Sequence, residues 1–108
     1  MKVLYQDKHV TISDFCITIN KYYFPLATSK TILFTEMSKI TILDARNVNH
    51  RWGPSAKFLN NWFHLDGQRN KKDRFIEIEV KGSNVRPSFT PEDVDKAFNP
   101  LRDHLIEM

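Results

Sequence analysis

The chain has little of anything that would commit it to a specialised class. One cysteine, Cys16, excludes an intramolecular disulfide and favours a reducing compartment. Three glycines and five prolines in 108 residues exclude collagen-like and low-complexity character. No apolar run approaches the roughly 20 residues that a membrane helix needs, and there is no Asn-x-Ser/Thr glycosylation site. Charge returns at Asp7 and Lys8, too soon after Met1 for the apolar stretch of a signal peptide. No internal repeat is present. The expectation is one cytoplasmic domain spanning 1–108, large enough to close a core without metal or disulfide.

Chemical motifs are equally scarce. No His-x-His or His-Glu-x-x-His pair, no glycine-rich phosphate loop and no Ser-His-Asp order is found. Cys16 falls in mid-strand with no glycine-lined elbow to present it, so a buried thiol is the expectation, not a nucleophile. His64 and Asp66 share a strand face, but a metal site there needs a third ligand that the sequence does not offer. His64 is read as a polar residue at a sheet edge. Glu77 and Glu79 also share a face. The opposite face holds Ile76, Ile78 and Val80, so the two glutamates are expected in solvent, paired with lysines on a neighbouring strand. No cofactor or metal is implied, and the chain reads as a non-enzyme.

What the sequence does have is alternation. Val10 and Ile12 oppose His9, Thr11 and Ser13; Phe15, Ile17 and Ile19 oppose Cys16, Thr18 and Asn20. Period two with β-branched residues predicts half-buried strands, with a turn at Ser13-Asp14. Lys30–Phe34, Lys39–Arg46, Trp62–Leu65, Arg74–Val80 and Val85–Phe89 continue the series, with a single helical turn capped by Thr35 between the first two. Pro25 and Pro87 place edges or turns. The period then changes. Thr90 as N-cap, Pro91 at the first helical position and acids in the first turn predict a helix start. Val94, Ala97, Phe98, Leu101 and Leu105 give that helix one apolar face. Pro100 predicts a kink or restart near Asn99.

About seven antiparallel strands and one C-terminal amphipathic helix make a mainly β, α+β chain. Closing the strands into a partly open barrel, with the helix over one end, covers their edges. The segments "VLYQDKHVTISDFCITI", "SKTILFTEMSKITIL", "FIEIEV" and "FTPEDVDKAF" occur in an order that resembles the pleckstrin-homology (PH)-like superfold. The likeness is to the small stand-alone bacterial PH-like and GRAM-like domains, and it covers nearly the whole chain. It implies a non-catalytic binding or scaffolding module. Phosphoinositide-binding members usually carry a basic signature around the first hairpin; here Lys8, His9 and Lys21 accompany Asp14, which is a thin match.

Charge is uneven. Residues 46–74 carry seven bases against two acids, and residues 75–108 carry four bases against seven acids. The basic stretch contains Arg46, Arg51, Lys57, Arg69, Lys71, Lys72 and Arg74, with Trp52 as the aromatic best placed for exposure and Trp62 as core. Two functional expectations follow. The first is a module that binds an unknown protein partner, or itself, at an exposed edge near Pro25 or Pro87. The alternative is an anion-binding module for acidic lipid or nucleic acid, using the basic loop at 69–74.

Overall fold

Alternating apolar residues pair up as a meander in the first sheet. The structure, a computed structural model, describes residues 2–23, 26–44, 53–54, 61–64 and 74–107. β1 (Val3–Gln6), β2 (Val10–Ser13), β3 (Cys16–Tyr23) and β4 (Thr28–Leu33) lie side by side in chain order, each antiparallel to the next. Val10, Ile12, Ile17 and Ile19 are fully buried on the inner face. Phe15 departs from the expected pattern. It sits in the β2–β3 turn and is 50% exposed, because the alternation it appears to begin starts one residue later, at Cys16.

A 3-10 turn, Phe34–Glu36, carries the chain into the second sheet. Thr35 is not its cap. The Glu36 carboxylate accepts the Leu33 N–H at 2.9 Å instead, and Phe34 enters the core. β5 (Met37–Asp44), β6 (Gly53–Pro54), β7 (Asn61–Phe63), β8 (Arg74–Val80) and β9 (Arg86–Phe89) assemble in the order β5-β8-β9-β7-β6. Nine strands are thus present among the described residues, against about seven expected, and one pair is not antiparallel: β7 runs parallel to β9. No strand pair joins the two sheets, so the described residues form two sheets and not a closed barrel.

The parallel addition of β7 corrects the expectation for Pro87. β9 lies between β8 and β7, and Pro87 is buried in the sheet, not exposed at an edge. Proline carries no N–H to donate. The β8–β9 register accordingly runs through Ile76↔Phe89 and Glu77↔Ser88 and goes no further towards the turn. Pro25 lies outside the described residues.

β8 is buried on both faces. Ile76 and Ile78 join the main core, while Phe75 meets Phe63 edge to face at 5.0 Å in a second, smaller cluster with Leu43. Glu77 is therefore 6% exposed and not in solvent. The partner is an arginine: Arg86 of β9 reaches Glu77 at 3.3 Å and Glu79 at 3.1 Å. A buried carboxylate persists only with such a partner.

Helix α1 (Val94–Glu107) packs over β1, β2, β5, β8 and the 3-10 turn. Ala97 and Leu101 are fully buried in the main core. Pro100 lies inside the assigned helix, which runs through without a restart. The helix begins later than Thr90. Asp93 is the N-cap: its carboxylate accepts the Lys96 N–H at 3.1 Å, and its carbonyl accepts the Ala97 N–H at 3.0 Å. The two preceding N–H groups go to the first hairpin. Glu92 N–H donates to the Asp7 carboxylate at 2.8 Å and Asp93 N–H to the Tyr5 hydroxyl at 3.1 Å. Asp7 also accepts the Tyr5 hydroxyl and the N–H groups of His9 and Val10, so one carboxylate fastens the β1–β2 turn to the helix. No helix of the described residues is long and apolar enough to cross a membrane.

Candidate functional site

The basic residues picked out in the sequence largely fall outside the described parts of the chain. That holds for Arg46, Arg51, Trp52, Lys57, Arg69, Lys71 and Lys72, and for Asp66. Arg74 is described. It opens β8 and makes a two-point ion pair with Asp95 on α1, at 3.1 and 3.3 Å.

His64 is not at an exposed edge. It follows β7, is fully buried, and stands edge-on to His9 with ring centroids 5.0 Å apart. Its Nε2 accepts the Thr90 N–H at 3.1 Å and lies 3.2 Å from the Thr90 hydroxyl. The residue expected to cap the helix thus anchors this histidine instead. No group of three metal-ligating side chains occurs among the described residues. Cys16 is buried, its Sγ 3.4 Å from the Ser13 hydroxyl.

A site emerges where the two sheets separate. β3 advances four residues between its contacts with Lys30 and Thr28 while β4 advances two, so β3 bulges. Lys21 sits at the bulge with φ +53°, a left-handed conformation that costs a non-glycine residue about 1 kcal/mol or more. The bulge shifts the alternation. Ile17 and Ile19 face inward at odd positions, and after Lys21 it is Tyr22 that is buried. Its carbonyl accepts the indole N–H of Trp62 at 2.8 Å, tying β7 to β3 across the gap. Trp62 is half-buried and packs against the core edge, so it is only partly the core residue expected.

A cleft of about 360 Å³ opens beside this bridge. Tyr22, Tyr23 and Lys30 form one side. Trp62, Val80, Val85 and Pro87 form the other, with Ser83 at the turn. Pro87 ends the β8–β9 ladder, and Val85, 48% exposed, stands on the turn beyond it. The rings are organised: Tyr22 and Tyr23 meet edge to face at 5.1 Å, and Tyr22 lies 6.1 Å from Trp62. The Lys30 ammonium donates to the Tyr23 hydroxyl at 3.1 Å and lies 5.4 and 5.7 Å from the Tyr23 and Tyr22 ring centres. Burial pushes the Tyr22 phenol well above its ordinary range, with the Tyr23 phenol adding to the effect, so Tyr22 stays neutral at physiological pH. The cleft is concave, mostly apolar and sparsely polar, the profile of a recognition site at the small end of ligand pockets. Its described lining contains no carboxylate, histidine or cysteine.

Sequence reasoning did not assemble this cleft. Neither Tyr22 nor Tyr23 is singled out from the sequence, and the bulge that recruits both is invisible to a period-two pattern. Two cues existed: adjacent aromatics after a lysine, and a proline in a strand that turned out to be central. Comparison with protein-family profiles, curated proteins and solved structures yields no match to this chain.

Proposed function

We propose that this chain is a non-catalytic binding module that captures a segment of a partner protein in the cleft between its two sheets. The observation that carries the reading is the cleft itself: three aromatic rings and a buried proline around a concave apolar space, with Val85 and Tyr23 exposed at its mouth. Aromatic side chains that stay half open to solvent are the common anchors of protein recognition. The PH-like assignment belongs to the same proposal. It is supported by the four-strand meander, the second sheet and the C-terminal helix whose Ala97 and Leu101 enter the core. Docking at a strand edge beside Pro87 is replaced by docking in the cleft that Pro87 lines. The alternative of acidic lipid or nucleic acid binding through residues 69–74 has one described member, and that member, Arg74, is already engaged with Asp95.

Photo-crosslinking tests the proposal. A benzoyl-phenylalanine placed at Val85 in cells should give a discrete adduct, lost when Tyr23→Ala is added. The same probe at Lys96, on the exposed side of α1, should give none. An adduct of twice the chain's mass would identify a second copy as the partner. The same adducts from both positions, or none from Val85, would sink the reading.

A further inference from the structure

Among the described residues, the charge that lines the cleft is of one sign. Lys30 is the one charged residue in the described lining, and its described contacts are with tyrosines, not with a carboxylate. Lys21, on the bulge immediately before Tyr22, is exposed, and Lys81, also exposed, lines the neighbouring polar hollow together with Glu79. None of the three forms an ion pair among the described residues. Lys8 pairs with Glu92, Arg74 with Asp95, Arg86 with Glu77 and Glu79, and Lys96 with Asp93, so the carboxylates nearest these bases are already engaged. Glu79, close to the cleft in sequence, is held by Arg86 and turned to a neighbouring polar hollow.

A single ammonium, Lys30, beside an apolar floor selects a ligand with the opposite layout. Resting on the binding-module reading above, we propose that the cleft takes an acidic peptide segment: one bulky apolar side chain as anchor, with Asp or Glu within two residues of it. The anchor enters against Trp62 and Pro87, and the carboxylate meets the Lys30 ammonium over the tyrosine rings. Charge complementarity of this kind sets specificity and association rate. A peptide is favoured over a lipid headgroup because the floor is apolar and concave and offers one lysine in place of the converging donors that phosphate requires.

The test is selection from a displayed library of random nine-residue peptides against the full chain. Labelled synthetic copies of the winners are then measured by fluorescence anisotropy. Expected winners pair a Trp, Phe or Leu with an acid one or two positions away. Lys30→Glu should weaken them about tenfold while lowering the unfolding midpoint by only a few degrees, and raising salt should weaken the wild-type complex. Val85→Arg should abolish binding. Winners without acids, or unaffected by Lys30→Glu, overturn this inference; if Val85→Arg still blocks them, the cleft reading stands alone. No winner sensitive to Val85→Arg overturns both. Phosphatidylserine vesicles form a second arm: vesicle binding lost in Lys30→Glu, with no peptide selected, would assign the cleft to membranes and overturn the peptide proposal.

Discussion

The two ends of the β-structure treat their polar groups in opposite ways. At the helix end, Asp7 accepts four donors, Tyr5 and Asp93 complete the cap, and Lys8 meets Glu92. At the cleft end, Lys30 rests on tyrosine rings and the strained Lys21 holds a bulge open. One end turns its chemistry inward and fastens the fold. The other holds a lysine that forms no ion pair among the described residues and a backbone strained at Lys21, at a cost in local stability. Stored strain and unsatisfied charge are what a binding site needs in order to gain on contact with a ligand.

Substitutions at four positions and a pH series separate these ends. Leu101→Ala, which empties the place where the helix meets the core, should cost about 2–5 kcal/mol in chemical denaturation; a loss below about 1 kcal/mol would mean the helix is not a core element. Asp7→Ala removes acceptors from four donors and should cost about 2–3 kcal/mol. Its peptide affinity at the cleft should match wild type at temperatures where both are folded, and a coupled loss would join the two ends that are separated above. Trp62→Phe deletes the donor to the Tyr22 carbonyl and should cost about 1 kcal/mol, together with most of the cleft's binding. Lys21→Gly should stabilise by up to about 1 kcal/mol, because glycine relieves the left-handed strain, whereas Lys21→Val should destabilise by about 1–2 kcal/mol. If both behave alike, the bulge is not as described.

The smallest effect is with pH. Tyr5 and Tyr22 are both raised above the ordinary tyrosine value, each mainly by burial, and Tyr5 also by its bond to Asp7. A raised phenol holds its proton longer in the folded state than in the unfolded one. That contribution is intact below about pH 10, where unfolded tyrosine titrates, and is lost as pH climbs beyond it. The unfolding midpoint should drop above pH 10, and Tyr5→Phe should flatten the drop.

Local rules reached those parts of the molecule that local rules build. β2 and β8 were legible because Val10 and Ile12, then Ile76 and Ile78, alternate against polar neighbours. The helix was legible from Ala97 and Leu101 at four-residue spacing. Its start was placed too early because Thr90-Pro91-Glu92 has the composition of a cap. The deciding partners, Asp7 and Tyr5, stand more than 80 positions away. Glu77 was misplaced for a similar reason. Alternation put it opposite the core, but a second cluster at Phe63 and Phe75 covers that face too, and Arg86 came from another strand. The cleft needs a bulge, a parallel strand and an interrupted ladder together, and none of these leaves a periodic trace.

The bond from Trp62 to the Tyr22 carbonyl carries a consequence for the order in which the molecule forms. The β1–β4 meander closes through short hairpins, which form early because little chain entropy is lost in each. β7 has no such route. Its parallel partner β9 lies more than 20 residues further along, and the indole must find a carbonyl 40 positions back. The recognition surface is therefore expected to assemble last, after the sheets it joins. In a refolding experiment, Trp62→Phe should leave the folding rate nearly unchanged and speed unfolding. A newly made chain would then complete this cleft only after the two sheets that form its walls.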